Sequence, residues 1–257
     1  PCSLYSCTNV LIDGCSDNGL LSNAGAFLRS YSIYLFKCVS VRVRSNALKN
    51  VSLSVFLGGD GTTRSRAITV SGNNIWHETT AGAFTAQFPA GVYINYADNV
   101  IISGNTFRSI YSSVDTGTNG TGVGYAVFEA SGGCNQFTFN GNTLQYDALG
   151  NKRAYGIYTN FAEAANITGN GFYIASAAYV IDCVLIDSKV TNTTRNVSGN
   201  MFNISETTTR AVYVTGSSTS NVSAVTVSGN TVRGGFQAFR QDNLPGAVVT
   251  VSNNTFS

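Results

Sequence analysis

Apolar residues fall on alternate positions through most of this chain, and the alternation is broken at regular intervals by a small residue followed by asparagine. The full pattern is apolar, any, apolar, Ser/Thr, Gly, Asn, any, apolar. It is seen in Ile68-Thr-Val-Ser-Gly-Asn-Asn-Ile75, Val100-Ile-Ile-Ser-Gly-Asn-Thr-Phe107 and Val225-Thr-Val-Ser-Gly-Asn-Thr-Val232. Variants run Phe137–Leu144, Ile167–Phe172, Val197–Phe202 and Val249–Phe256, with weaker copies at Val10–Cys15 and Val41–Leu48. The slot usually held by Gly is occupied by Gly14, Ser45, Gly72, Gly104, Gly141, Gly169, Gly199, Gly229 and Asn253. Successive slots lie about 30 residues apart, the period of a solenoid. Two positions before the slot every copy is apolar, and four before it only Ala165 and Arg195 depart from a large apolar residue. Period-two alternation predicts strands, because neighbouring side chains then point to opposite faces. Helical spacing is nearly absent; only Phe161–Ala165 and Ala175–Ala178 could form a helical turn.

Asn follows the slot in eight copies: Asn46, Asn73, Asn105, Asn142, Asn170, Asn200, Asn230 and Asn254. Gly-Asn suits a tight corner with positive φ, and stacked amides can bond from one turn to the next. Parallel stacking of such turns buries an apolar stripe that one turn alone cannot bury. The alternative is a set of antiparallel hairpins with Gly-Asn turns, which does not account for the fixed period.

The repeat resembles that of the right-handed parallel β-helices of the pectin-lyase-like superfamily, and within it the receptor-binding tailspikes and polysaccharide depolymerases of tailed bacteriophages. The resemblance spans essentially the whole chain. It implies an all-β, single-stranded parallel β-helix of about nine coils of roughly 30 residues, a single domain over 1–257. At about 4.8 Å per coil the rod would be on the order of 40 Å long. It also implies a homotrimer, bacterial surface polysaccharide (capsule or O-antigen) as partner, and action outside the cell from a virion tail after synthesis in the host cytoplasm. The chain opens on Pro1 and stops within an Asn-Thr-Phe strand, so the expectation is a fragment of a longer tailspike-like polypeptide.

Composition narrows the partners. Charged residues are 11% of the chain and the net charge is +2. No basic cluster is denser than Arg42/Arg44/Lys49 or Arg64/Arg66, so nucleic-acid binding is not expected. No apolar run is long enough to span a membrane, and no membrane insertion is expected. The six cysteines form no Cys-x-x-Cys pattern, so neither a metal nor a cofactor is expected. They read as free, mainly buried thiols, with Cys15 in the Asn slot packed within the stack.

A second strand precedes most Gly-Asn units, as in Gly91-Val-Tyr-Ile94, Ala126-Val-Phe-Glu129, Gly156-Ile-Tyr-Thr159, Ala211-Val-Tyr-Val214 and Gln237-Ala-Phe-Arg240. With Val92, Val127, Ile157 and Val212 inward, Tyr93, Phe128, Tyr158, Tyr213 and Phe239 would face out. Such a row could meet sugar rings, pack against another subunit, or stack internally. Glu129, inward and unpaired, would be costly, so it is expected to face solvent or a partner chain.

Glycoside hydrolysis ordinarily uses two carboxylates about 5–9.5 Å apart. Glu78 and Asp147 each lie five residues after a corner Asn, two coils apart. Between them runs the longest coil, whose loop 112–124 carries Asp115. Glu78, Asp115 and Asp147 are therefore the candidate catalytic residues. The candidate substrate-binding residues are Trp76, His77, Arg108, Tyr111 and Tyr146 around them, with Tyr93, Glu129 and Tyr158 on the aromatic strands. Asp182 and Asp187 complete a second acidic set with Glu129. The signature motifs of polygalacturonases and the clustered Asp of pectate lyases are absent. Three functions are carried forward: polysaccharide hydrolase, non-catalytic carbohydrate-binding fibre or adhesin, and lyase or epimerase. In the last, Arg108, Tyr111, His77 or Lys152 would handle a uronate.

Overall fold

The computed structural model describes residues 1–19, 31–77, 89–110, 123–130, 132–147, 153–160, 162–176, 180–188, 193–216, 223–242 and 248–257. It is a parallel β-solenoid. Every third strand in sequence joins the same sheet, giving three sheets of nine strands, and all strand pairings are parallel. Strands such as Ala90–Asn95, Val123–Glu129 and Arg153–Thr159 form sheet A. Ala97–Ser103, Gln136–Asn140 and Ala164–Thr168 lie in sheet B, and Thr106–Arg108, Thr143–Tyr146 and Gly171–Ile174 in sheet C. No described residue is helical, and no helix is long and apolar enough to cross a membrane.

The repeat slots fall in register. Ile12, Val43, Val70, Ile102, Phe139, Ile167, Val197, Val227 and Val251 pair in succession along sheet B. Their side chains form one wall of the core, closed except at Val251, which is exposed. Sheet C supplies the opposite wall through Leu48, Ile75, Phe107, Leu144, Phe172, Phe202 and Val232, with Phe172 stacked on Phe202 at 4.6 Å. Every residue in the Gly slot, including Ser45 and Asn253, has φ between +54° and +65°. Glycine serves there because the left-handed conformation penalises a Cβ.

Behind each slot the asparagine turns inward and builds a ladder. From Asn46 to Asn254 each Nδ2 donates to the Oδ1 of the next Asn at 2.9–3.1 Å. The same Nδ2 donates to a carbonyl of the preceding turn, as Asn142 does to Ile102. Each Oδ1 also accepts the backbone N–H of the Asn before it. Buried amides are thereby paired throughout, as burial demands. Cys15 joins only through its backbone N–H, 2.8 Å from Asn46 Oδ1, and its side chain is exposed rather than packed in the stack. All six cysteines are free; Cys38, Cys134 and Cys183 are buried.

Sheet A departs from simple alternation. Ala126 and Val127, Cys183 and Val184, and Ala211 and Val212 all belong to the core. Two consecutive inward residues leave positions three apart, such as Tyr125 and Phe128, on the outer side. The outward row runs Tyr34, Phe56, Tyr93, Phe128, Tyr158, Leu185, Tyr213, Arg240. Phe239 is not in it: it pairs with Val212 and packs against the core, so Arg240 takes the outward place.

Glu129 corrects a second expectation. It shares a column with the inward Leu57 and Ile94, and it is buried. Burial raises its pKa, opposed by hydrogen bonds from Thr159 and by the charge of Arg195. Oε2 accepts from Thr159 Oγ1 at 2.6 Å and from the Asn160 N–H at 3.0 Å. Arg195, in the normally apolar slot above Ala165, is equally buried and donates to the carbonyls of Asn160 and Ala162. Burial disfavours both charged forms, and the attraction between the two groups opposes that only in part.

Candidate functional site

The candidate residues fall on two outer faces of the solenoid and in its interior. On sheet A, Tyr34 and Phe56 stack at 4.7 Å with planes 2° apart, Phe56 and Tyr93 at 5.4 Å and 13°, and Phe128 and Tyr158 at 5.2 Å and 10°. Tyr125 and Tyr155 stack beside them at 5.4 Å. Tyr93, Tyr125, Phe128, Tyr155 and Tyr158 join Ala90 and Leu53 in a hydrophobic cluster outside the main core. Ring faces therefore meet one another along the axis, and what reaches solvent is edges and hydroxyls. Tyr93 and Tyr158 do face outward, yet their flat faces are already covered. Tyr158 Oη donates to Asp187 Oδ2 at 3.0 Å.

The far end of this face is ionic. Arg210 holds Asp182 through Nε and Nη2 and lies 4.1 Å over the Tyr213 ring. The Asp182 carboxylate is fully buried, and burial pushes its pKa up to about 6 in spite of Arg210. Arg240 pairs with Asp242, which also accepts from Tyr213 Oη. These ion pairs close on themselves and leave no opposed carboxylate pair.

Sheet C is different. Its outward column runs Lys49, Trp76, Arg108, Gln145, Tyr173, Asn203, Arg233, one residue per strand. Tyr173 is exposed and has no ring neighbour among the described residues. It folds back along its strand over Gly171, where a Cβ would stand 2.8 Å from its Cε2 and 3.3 Å from its Cζ. The hydroxyl end of the ring rests against the glycine, and the residue is 38% exposed. Around it Thr143, Gln145, Asp147, Asn203 and Ser205 line a shallow groove. Asp147 Oδ2 accepts from Arg108 Nε at 2.8 Å, and Oδ1 from Gln145 Nε2 at 3.1 Å. Trp76 is half-buried, two strands before Gln145 in the same column.

The structure thus brings Trp76, Arg108 and Asp147 together on sheet C. Of the other described candidates, Tyr146 borders the same groove, Tyr93 and Tyr158 lie on sheet A, and His77 and Glu129 are interior. Tyr146, expected as a groove wall, points into the core; its Oη donates to the Tyr155 carbonyl at 3.0 Å, and burial drives its pKa far up. His77 is buried with Nε2 3.1 Å from the Val51 carbonyl, closed off from solvent. Glu78, Tyr111, Asp115 and Lys152 lie outside the described residues. Tyr173 and Asn203 were not anticipated; the signal was Gly171 in a slot that carries Thr or Asn in most full copies. Hollows over sheet B, beside Leu11 and Arg42 and beside Arg66 and Glu163, have no aromatic ring among their lining residues.

Residues 4–173, about two thirds of the chain, match the family described as "Periplasmic copper-binding protein (NosD)". No curated protein sequence matches the chain. Among solved structures, it is similar to a mutant tailspike protein of the E. coli bacteriophage HK620 in complex with a pentasaccharide, at 15% identity and a TM-score of 0.47, covering 98% of this chain and 47% of that one. It is also similar to the Streptococcus pneumoniae surface protein and adhesin PfbA, at 12% identity and a TM-score of 0.34, covering 98% and 61%. The chain therefore spans about half of the tailspike and three fifths of the adhesin.

Proposed function

We propose that this chain, which belongs to the NosD family of periplasmic copper-binding proteins, is a carbohydrate-binding β-helix that receives a surface polysaccharide along the outer face of sheet C. The observation that carries this reading is an exposed Tyr173 resting against Gly171 in a groove lined by polar side chains. A sugar ring has an apolar C–H face and an equatorial rim of hydroxyls. It is held by a flat aromatic with donors and acceptors beside it, the mixed lining general to small-molecule sites. Gln145, Asn203, Ser205 and the Arg108–Asp147 pair supply those groups. A protein with this role acts outside the cytoplasm, on a cell or virion surface.

The test is binding to purified capsular and O-antigen polysaccharides by calorimetry. Tyr173→Ala should weaken binding about ten-fold, equivalent to about 1.4 kcal/mol, whereas Tyr158→Ala on sheet A should not. Equal affinity of Tyr173→Ala and the wild type would sink the reading.

Hydrolysis of the bound chain is the second reading, favoured by the position of Asp147 at the rim of the groove. It requires a partner carboxylate, for which Glu78 and Asp115 are the candidates. Incubation with the polysaccharide should then yield shortened chains, and Asp147→Asn should stop it.

The copper in the family's description finds no ligand set here. Among the described residues no three His, Cys, Asp or Glu side chains gather as metal ligands. Cys38 and Cys134 have sulfurs directed at backbone carbonyls, and the His77 ring is turned to Val51.

A further inference from the structure

Resting on the sheet C reading above, we infer that the polysaccharide it takes is anionic, with carboxylates contacted by Arg108 and Arg233. In the outward column Arg108 lies two strands before Tyr173 and Arg233 two strands after it, with Gln145 and Asn203 between. Four parallel steps of about 4.8 Å put the two arginine positions roughly 19 Å apart along the axis. Both arginines are exposed, and Arg233 has no recorded partner among the described residues. Lys49 adds a third cation at the head of the column. Among the described residues Asp147 is the one carboxylate lining this groove, and it is already held by Arg108 and Gln145.

A guanidinium on a flat sheet presents a planar fork that matches a carboxylate. Arg108 already shares its fork with Asp147, and a neutral glycan would leave the Arg233 fork facing hydroxyls, with no charge to meet it. Nucleic acid fits poorly: a duplex carries a charge about every 1.7 Å, so roughly eleven phosphates would fall along a length that holds two cations. A chain with a carboxylate every few sugars matches the sparse spacing. Its sugar rings would lie over Tyr173 while flanking acid groups reach the arginines.

The experiment compares acidic polymers with their carboxyl-reduced counterparts: polygalacturonate, alginate, hyaluronan and the acidic capsules, each beside the neutral polymer made from it. Binding should fall at least ten-fold on reduction for whichever polymer binds. The affinity should drop with salt, and the logarithmic salt slope should shrink by about one in Arg233→Gln. Equal binding of the acidic and reduced forms, lost in Tyr173→Ala, would overturn the charge requirement and leave glycan recognition standing. If no polymer in either form binds, glycan recognition on sheet C fails and this inference with it.

Discussion

Tyr173 lies over Gly171, its neighbour two residues back in the same strand, so closely that a methyl carbon on the glycine would come within 2.8 Å of the ring. Gly171→Ala should therefore lift the ring from the sheet. We expect glycan affinity to fall about ten-fold, with the melting temperature close to that of the wild type. In a Tyr173→Ala background the same substitution should cost no further affinity. An additive second loss in calorimetry would mean that Gly171 matters for some other reason.

Asn142 sits mid-ladder. Its Oδ1 accepts from the Asn105 N–H and Nδ2, and its Nδ2 donates to the Ile102 carbonyl and to Asn170. Asn142→Ala strands several buried polar groups at once, at about 1–3 kcal/mol each before relaxation. A loss of about 3 kcal/mol in urea unfolding is expected. Asn203→Ala, exposed on sheet C, should change stability by less than about 0.5 kcal/mol. Similar midpoints for the two variants would contradict the ladder's role.

Glu129 and Arg195 come from rungs two turns apart and attract each other in the core, against the burial that disfavours both charges. Arg195→Leu should cost about 3–5 kcal/mol, since it leaves a carboxylate buried without its cation. Adding Glu129→Leu should recover much of that loss, because the uncompensated charge is gone. If the double variant is no more stable than Arg195→Leu in denaturant titrations, the two charges are not coupled.

Asp182 gives a pH dependence with a definite sign. Its folded pKa is raised from 3.8 to about 6 by burial. Protonated Asp182 thus stabilises the fold at and below pH 4, and that stabilisation is lost as pH rises through 6. The stability of wild type relative to Asp182→Asn should fall by up to about 3 kcal/mol between pH 4 and 7. A difference that stays level across that range would show that Arg210 outweighs burial.

The rungs and corners were legible because the same few slots recur with the same chemistry. Ile102 and Phe139 are both apolar because they stack, and Gly104 and Gly141 share one φ. Sheet A was read less well. Ala126 and Val127 both turn inward, so strict alternation missed Tyr125 as an outer residue. The inward turn of Glu129 was hidden for a different reason. Its counterion Arg195 is far away in sequence and on another sheet, and only the folded register joins them. The lie of the Tyr173 ring depends on a missing side chain two residues away, which no hydrophobic pattern records.

The asparagine amides all point the same way. From Asn46 to Asn230 each Nδ2 sends one N–H to the Oδ1 of the next rung, so every Oδ1 beyond the first accepts from the asparagine before it. Eight amide dipoles aligned head to tail give the rod an electrical polarity along its length, as peptide dipoles do in an α-helix. The positive pole lies at Asn254 and the negative pole at Asn46, where the Cys15 N–H answers it. The two ends of the rod are electrically unlike, so anionic groups are favoured beside the last rung and cationic ones beside the first.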